Sequence, residues 1–341
     1  MIRYLKAEEK ERCRVLWREA FPDDSEPFTD YYFEEKMKDN RVIVCEEDSR
    51  IVSMLHRNPY EIYLRGCVCR CDYIVGVATA VTERKKGHMR ALLLAALRDM
   101  CGERMPFTFL MPAREALYRP YDFRFIFDQP RWVLQYDPKL RQTPFPDHAL
   151  LKDLADWQNA WLKRQYEVFA LRNEAYLEQM EKELASEDGS ISLISHDEEF
   201  IGMSSEWGLK EREQRFLYIG EGCRTEMSKK PAIMARILCL PEFVRAICLS
   251  ERSTETELTI ELGVNDLFVS ANQGVWSWKL NKSGSGMVRE SRFIARGRVP
   301  VVSIADLTQW LFGYEIPDAV KQIPHWEEIE PFHGVFLDEV V

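Results

Sequence analysis

Arg84, Lys85, Lys86 and Arg90 place four positive charges and no negative one within seven residues, in a chain whose net charge is −10. Gly87 lies among them and lets backbone N–H groups approach a ligand closely. The run Tyr73 to Ala80 ahead of them reads as a buried strand. Gly87 to Met100 behind them reads as a helix stopped by Gly102. A helix N-terminus offers free N–H groups and the positive end of the helix dipole. Strand, basic glycine loop and helix together therefore suit a pyrophosphate. The plain alternative, a solvated basic turn before an ordinary helix, weighs about equally on charge and spacing alone. Neither G-x-x-x-x-G-K-[ST] nor G-x-G-x-x-G occurs here. About thirty residues on, a strand from Phe107 to Met111 closes at Pro112 and leads to Tyr118 and Tyr121. A tyrosine beside a ligand cleft can protonate a leaving thiolate. Standing alone, the segment would read as rings capping a core.

Other chemistry-bearing residues read more plainly. Cys67, Cys69 and Cys71 fall on one face of a strand by its period of two. Structural zinc wants C-x₂₋₄-C pairs and a fourth ligand, so these are expected to be thiols on a sheet face, and no metal is expected. His56 reads as a cross-strand hydrogen-bond partner. No Ser-His-Asp set with a recognisable elbow is present.

The elements that must position these residues follow from length and patterning. A chain of 341 residues suggests two or three domains. With 46% apolar and 30% charged residues it can bury sizeable cores. The acidic balance argues against nucleic acid as a partner. No apolar run approaches the roughly 20 residues a membrane helix needs. The charged stretch Met1 to Arg14 argues against a secretory signal. Nine cysteines without a regular framework then suggest reduced thiols and a cytoplasmic protein.

Residues 1–130 alternate strands and helices: a helix over Glu9–Ala20, a hairpin of Val42–Cys45 and Ile51–Leu55, and strands over Tyr60–Leu64 and Cys67–Thr79. The expected class is α+β (mixed α/β). Residues 131–225 open with two amphipathic helices, marked by Leu154, Trp157 and Trp161 and by Tyr176, Leu177, Met180 and Leu184. A hairpin over Ile191–Met203 follows. Shifted by 149 residues, the first hairpin overlays the second, with Asp48 on Asp197, Val52 on Ile201 and Met54 on Met203. That overlay points to an internal duplication. Residues 226–341 are expected to open with a helix from Pro231 to about Leu249. Strands over Thr256–Gly263, Asp266–Ala271, Gly274–Leu280 and Arg289–Ile294 would follow, then a helix capped by Ser303. The tail from Trp326 carries five acidic residues and no Lys or Arg, yet Phe332, Val335, Phe336, Leu337, Val340 and Val341 ask for burial.

Arg84-x-x-Gly87-x-Met89 after a Val-rich strand, then Leu117-Tyr118-x-x-Tyr121-Asp122-Phe123, resembles the GNAT superfamily of N-acetyltransferases. Met89 and Asp122 stand where that signature prefers a small residue and a glycine. Asp30–Phe33, Val52–His56, Met234–Ile237, Leu307–Gly313 and the ending Phe336–Val341 resemble the enhanced-intracellular-survival (Eis-like) branch, so the resemblance spans nearly the whole chain. It implies two tandem GNAT-like domains, the second degenerate, and a C-terminal domain similar to sterol carrier proteins. It implies acetyl transfer from acetyl-CoA to an amine by direct attack, the acceptor being a cationic small molecule or a Lys-containing peptide. Val77 and Thr79 would hold the pantetheine arm through their backbone. Arg84, Lys85, Gly87, His88 and Met89 would hold the pyrophosphate. Tyr118 would be the general acid and the terminal carboxylate of Val341 the base. Asp24, Glu26, Tyr32, His56 and Glu339 are candidates for the acceptor pocket, since acidic and aromatic walls suit a cation. A homo-oligomer is expected. The rival expectation is a non-catalytic CoA- or lipid-binding sensor on the same fold.

Overall fold

Val42, Val44, Ile51 and Met54 are buried in one apolar cluster, and Ile43, Cys45, Val52 and Leu55 in another. The strands that carry them are therefore covered on both faces. The computed structural model describes residues 1–145, 150–290 and 299–339. It opens with β1 (Ile2–Tyr4), α1 (Arg14–Ala20), α2 (Glu26–Glu34), β2 (Arg41–Glu47), β3 (Arg50–Leu64), β4 (Cys67–Thr79), α3 (His88–Gly102), β5 (Phe107–Leu110) and β6 (Arg124–Leu134). Leu16, Trp17, Tyr32 and Phe33 bring α1 and α2 onto the first cluster. Leu92, Leu93, Ala96, Leu97 and Met100 bring α3 onto the second. The expected helix from Glu9 begins instead as a 3₁₀ segment, Ala7–Cys13, ahead of α1.

The middle of the chain forms β7 (Leu140–Pro144), α4 (Leu151–Lys163), β8 (Val168–Ala170), α5 (Glu174–Ser186), β9 (Ser190–His196), β10 (Glu199–Trp207), β11 (Glu213–Ile219) and β12 (Arg224–Ile237). The 149-residue offset carries β2 onto β9 and the start of β3 onto the start of β10. Both connecting turns hold two left-handed residues, Asp48 and Ser49 in one, Asp197 and Glu198 in the other. Such pairs make the tight turn whose twist matches antiparallel strands. β7, β9, β10 and β11 form their own sheet, whereas β12 returns to the first one, between β5 and β6. Residues 130 and 225, where the sequence suggests boundaries, lie inside β6 and β12, which pair along most of their length.

The last part comprises α6 (Leu240–Phe243), β13 (Cys248–Leu249), β14 (Glu257–Asn265), β15 (Gly274–Asn281), β16 (Gly284–Arg289), β17 (Val301–Ser303), α7 (Ile304–Leu311), β18 (Ile329–Glu330) and β19 (Val335–Phe336). The first part of the helix expected from Pro231 is the end of β12, and only Leu240–Phe243 is α-helical, followed by a 3₁₀ turn over Val244–Ala246. Ile233, Met234, Ala235 and Ile237 are fully buried in a strand flanked on both sides, and a short apolar run looks the same in a buried strand as in a buried helix. The strand expected over Asp266–Ala271 is a turn. The Asp266 carboxylate accepts the N–H groups of Phe268 and Val269 and so holds the backbone out of a ladder. Of the strand expected over Arg289–Ile294, Arg289 is instead the last residue of β16, Glu290 is outside any strand, and residues 291–294 lie outside the described residues. Ser303 caps α7 as expected, its hydroxyl accepting the Asp306 N–H. The tail then crosses back, with β19 pairing β8 in parallel and β8 pairing β3.

Candidate active site

β4 carries an extra residue. Its register against β3 slips between Met54↔Ala78 and His56↔Val75. Gly76 lies in the slip at φ +59°. A Cβ there would stand 2.8 Å from a Trp17 ring carbon and 3.1 Å from the His56 ring. Only glycine meets both the space and the backbone angle. A bulge bends a strand and ends its pairing. β4 and β5 are parallel neighbours with a single register pair, Tyr73↔Phe109, so beyond it β4 leaves β5. The Ala80 N–H goes to Val52 in β3, and by strand alternation the backbone groups of Thr79 and Val77 face the unpaired side. The Thr79 carbonyl accepts Arg84 Nε at 3.2 Å.

The basic loop follows at the open end of β4. Lys85 is left-handed at φ +64° and Gly87 at φ +88°. Gly87 caps α3, whose first helical hydrogen bond runs from the Ala91 N–H to the Gly87 carbonyl. The N–H groups of His88 and Met89 precede that bond and have no intrahelical partner. Alternating handedness turns successive N–H groups into one concavity that fits an anion. Arg84 and Lys85 are exposed, while Lys86 is held by Glu83 at 2.6 Å. Met89 packs its side chain on the core. His88 turns its ring toward β2, with Nδ1 3.3 Å from Cys45 Sγ.

Tyr118 sits between two 3₁₀ turns, Glu115–Leu117 and Arg119–Tyr121. It is 7% exposed, and its ring meets Phe123 edge-on at 6.0 Å. Burial pushes its phenol up to about 12. Asp122, where the superfamily signature has glycine, is left-handed at φ +66°. Aspartate is one of the few residues that enter this region readily, so the chain reversal survives the replacement. Its Oδ2 stands 3.8 Å from Arg236 Nη2.

The residues expected in an acceptor pocket separate into three places. Asp24, Tyr32 and His56 gather around Trp17. The indole donates to Asp24 Oδ2 at 2.8 Å, stacks on Tyr32 at 4.2 Å and lies 5.6 Å from His56. Tyr32 and His56 are fully buried and joined at 2.8 Å between the hydroxyl and Nδ1. Burial holds His56 down to about 3, so it stays neutral. Glu26 is exposed and pairs with Arg18 at 2.7 Å. Glu339 is buried at the end of the tail, where Arg172 donates to it at 2.7 Å and to Asp338 at 2.8 Å. Val341 lies outside the described residues.

Sequence reasoning passed over the groups that join these places. Lys36 is buried and donates to the Tyr60 hydroxyl at 2.8 Å. Arg215 donates to the Asp338 carbonyl at 3.0 Å, and Tyr218 donates to the Asp338 carboxylate. Tyr73 packs on Phe109 at 5.1 Å. Burial first, then Tyr60, push its phenol up. Only Gly76 had a local signal, as a lone glycine inside a strand pattern.

These features define a class before any particular relative. Residues 1–126 match the family described as acetyltransferase (GNAT) domain. The fold is the mixed α/β GNAT fold, and its N-terminal part is an N-acetyltransferase domain. Among solved structures, the chain is similar to a probable N-acyltransferase from Enterococcus faecalis V583, at 15% identity and TM-score 0.77, covering 97% of this chain and 93% of that one. It is similar to a GCN5-related N-acetyltransferase from Anabaena variabilis ATCC 29413, at 15% identity and TM-score 0.74, with both chains covered in full. It is also similar to Eis1 from Mycobacterium abscessus, at 11% identity and TM-score 0.72, again covering both chains in full. At such identities the likeness is one of fold. No curated protein sequence matches the chain.

Proposed function

We propose that this protein transfers acetyl from acetyl-CoA to a primary amine, by direct attack and without a covalent enzyme intermediate. The observation that carries the reading is the bulge at Gly76, which opens β4 away from β5 directly ahead of the Lys85–Gly87 concavity. The open edge offers backbone groups of Val77 and Thr79 to a pantetheine amide. The concavity, with Arg84, Lys85, Gly87, His88 and Met89, offers N–H groups and charge to a pyrophosphate. Tyr118, kept protonated by burial, supplies the proton for the departing thiolate.

The Eis-like part of the reading concerns the tail. Asp338 and Glu339 are locked by Arg172, and Glu339 lines one small cavity with Lys36, Tyr60 and Tyr176. This supports a terminal carboxylate that approaches the reacting amine and takes its proton. A free terminal carboxylate has a pKa of about 3.5, so it serves as a base toward an ammonium only when partly desolvated or through a water. The tail's acidic residues favour a cationic amine as acceptor. The three-part division at about residues 130 and 225, a sterol-carrier-like last part and a homo-oligomeric assembly belong to the same reading. Among the described residues no helix is long and apolar enough to cross a membrane.

The test is acetyl transfer to a panel of cationic amines and Lys peptides, read by mass spectrometry of the product. Product with any of them supports the reading. No product, while acetyl-CoA still protects the protein against melting, would favour a sensor. One residue added after Val341 is expected to cut turnover while sparing acetyl-CoA binding. Unchanged turnover would remove the terminal carboxylate from the mechanism.

A further inference from the structure

The side chain of His88 takes no part in the backbone role proposed for its N–H. It turns instead from the start of α3 toward the end of β2. There Cys45 Sγ lies 3.3 Å from Nδ1, and Glu47 Oε1 lies 3.7 Å from Nε2. One donor atom from each of Cys45, Glu47 and His88 falls within 4.8 Å of the other two. Cys45 is 6% exposed and the His88 side chain 13%, while Glu47 is half exposed and free to turn. His88 Nε2 is shielded from solvent and makes no hydrogen bond. Glu83 Oε2 stands 4.0 Å from it.

We propose that Cys45, Glu47 and His88 form a binding site for a divalent transition-metal ion of the zinc type. Zinc bonds of about 2.0–2.3 Å at tetrahedral angles put ligand atoms roughly 3.3–3.6 Å apart. The Cys45–His88 pair already has that separation, and a turn of the Glu47 side chain closes the third. Thiolate, imidazole and carboxylate suit Zn²⁺ or Co²⁺ and suit Mg²⁺ or Ca²⁺ poorly. With the ion on Nδ1 and the Glu47 carboxylate turned to it from its place 3.7 Å from Nε2, that second ring nitrogen is left to Glu83, 4.0 Å away. A metal-bound imidazole commonly turns its free N–H to such a carboxylate, which fixes the ring. Water completes the fourth position. The ion ties β2 to the first residue of α3, beside the basic loop. The three ligands come from residues 45, 47 and 88 and form no recognisable sequence motif.

The inference does not depend on acetyl transfer, and its test reads the metal directly. The purified protein is titrated with Co²⁺ alone and its absorption followed, then Zn²⁺ is added in competition. The expected result is one tight equivalent with an intense thiolate-to-cobalt band that Zn²⁺ abolishes. Cys45→Ser should remove that band. His88→Gln and Glu47→Gln should each weaken binding by roughly tenfold or more, since even groups that only orient a ligand change affinity by 10–100-fold. Cys67→Ser, at the exposed thiol, should leave the band intact. Glu47 is exposed, so Glu47→Gln keeps the test open if Cys45→Ser fails to fold. No band in the parent protein, or a band and affinity unchanged in both Glu47→Gln and His88→Gln, would overturn the site and leave a thiol–imidazole hydrogen bond.

Discussion

Burial pushes the Tyr118 phenol up to about 12. A group protonated to that pH can serve as an acid throughout the neutral range. The high-pH limb of turnover should therefore be absent below about pH 11, and the rate should rise as the acceptor amine loses its proton, then stay level. Tyr118→Phe should lower kcat by about 10²–10⁴-fold with the acetyl-CoA KM near the parent value, in a steady-state assay. A fall in kcat at pH 9 in the parent enzyme would assign the acid to another group. The resemblance to the GNAT signature picked out Tyr118, since the segment alone would read as rings capping a core. It did not show that Asp122 could replace glycine, because the left-handed angle there is a property of the folded turn.

Two glycines position the proposed cofactor site, and they differ in what a side chain would meet. At Gly76 a Cβ collides with Trp17 and His56 in addition to the strained angle. At Gly87 the angle alone is strained, since the added carbon enters open space. Gly76→Ala is expected to cost about 2–4 kcal/mol in urea unfolding. Gly87→Ala should cost about 1–2 kcal/mol. Gly87→Ala should still weaken acetyl-CoA, because the concavity of N–H groups depends on that angle, and isothermal calorimetry would show it. Equal costs for the two would mean that the bulge does not pack against Trp17. Gly87 was legible from its place between a strand and a helix. The role of Gly76 was not, because the partner that forbids a side chain comes from α1, about sixty residues earlier.

Across the whole molecule the tail decides how the parts meet. Arg172, fully buried, pairs with both Asp338 and Glu339, and Arg215 and Tyr218 add to Asp338. Removing this cation, which pairs with both carboxylates, leaves buried charge uncompensated at Glu339. Arg172→Met should cost about 3–5 kcal/mol in chemical denaturation. Glu339→Gln added to it should recover part of that loss, and no recovery would show that the pair is not coupled. Phe332, Val335, Phe336 and Leu337 are buried as their apolar character required. The recurrence of the hairpin was likewise readable, since the 149-residue offset carries one onto the other, turn included. Strand alternation, helix caps and the basic loop are local patterns, and local patterns are what a sequence states by itself. β12 was misread as a helix because a short apolar run is silent about its neighbours, and β5 and β6 on either side made it a strand. The opening of β4 from β5, the Trp17–Tyr32–His56 stack, the Cys45–Glu47–His88 cluster and the Arg172 clamp on the tail all depend on which distant segments come into register. Register is set by packing the entire core, so only the tertiary structure decided them.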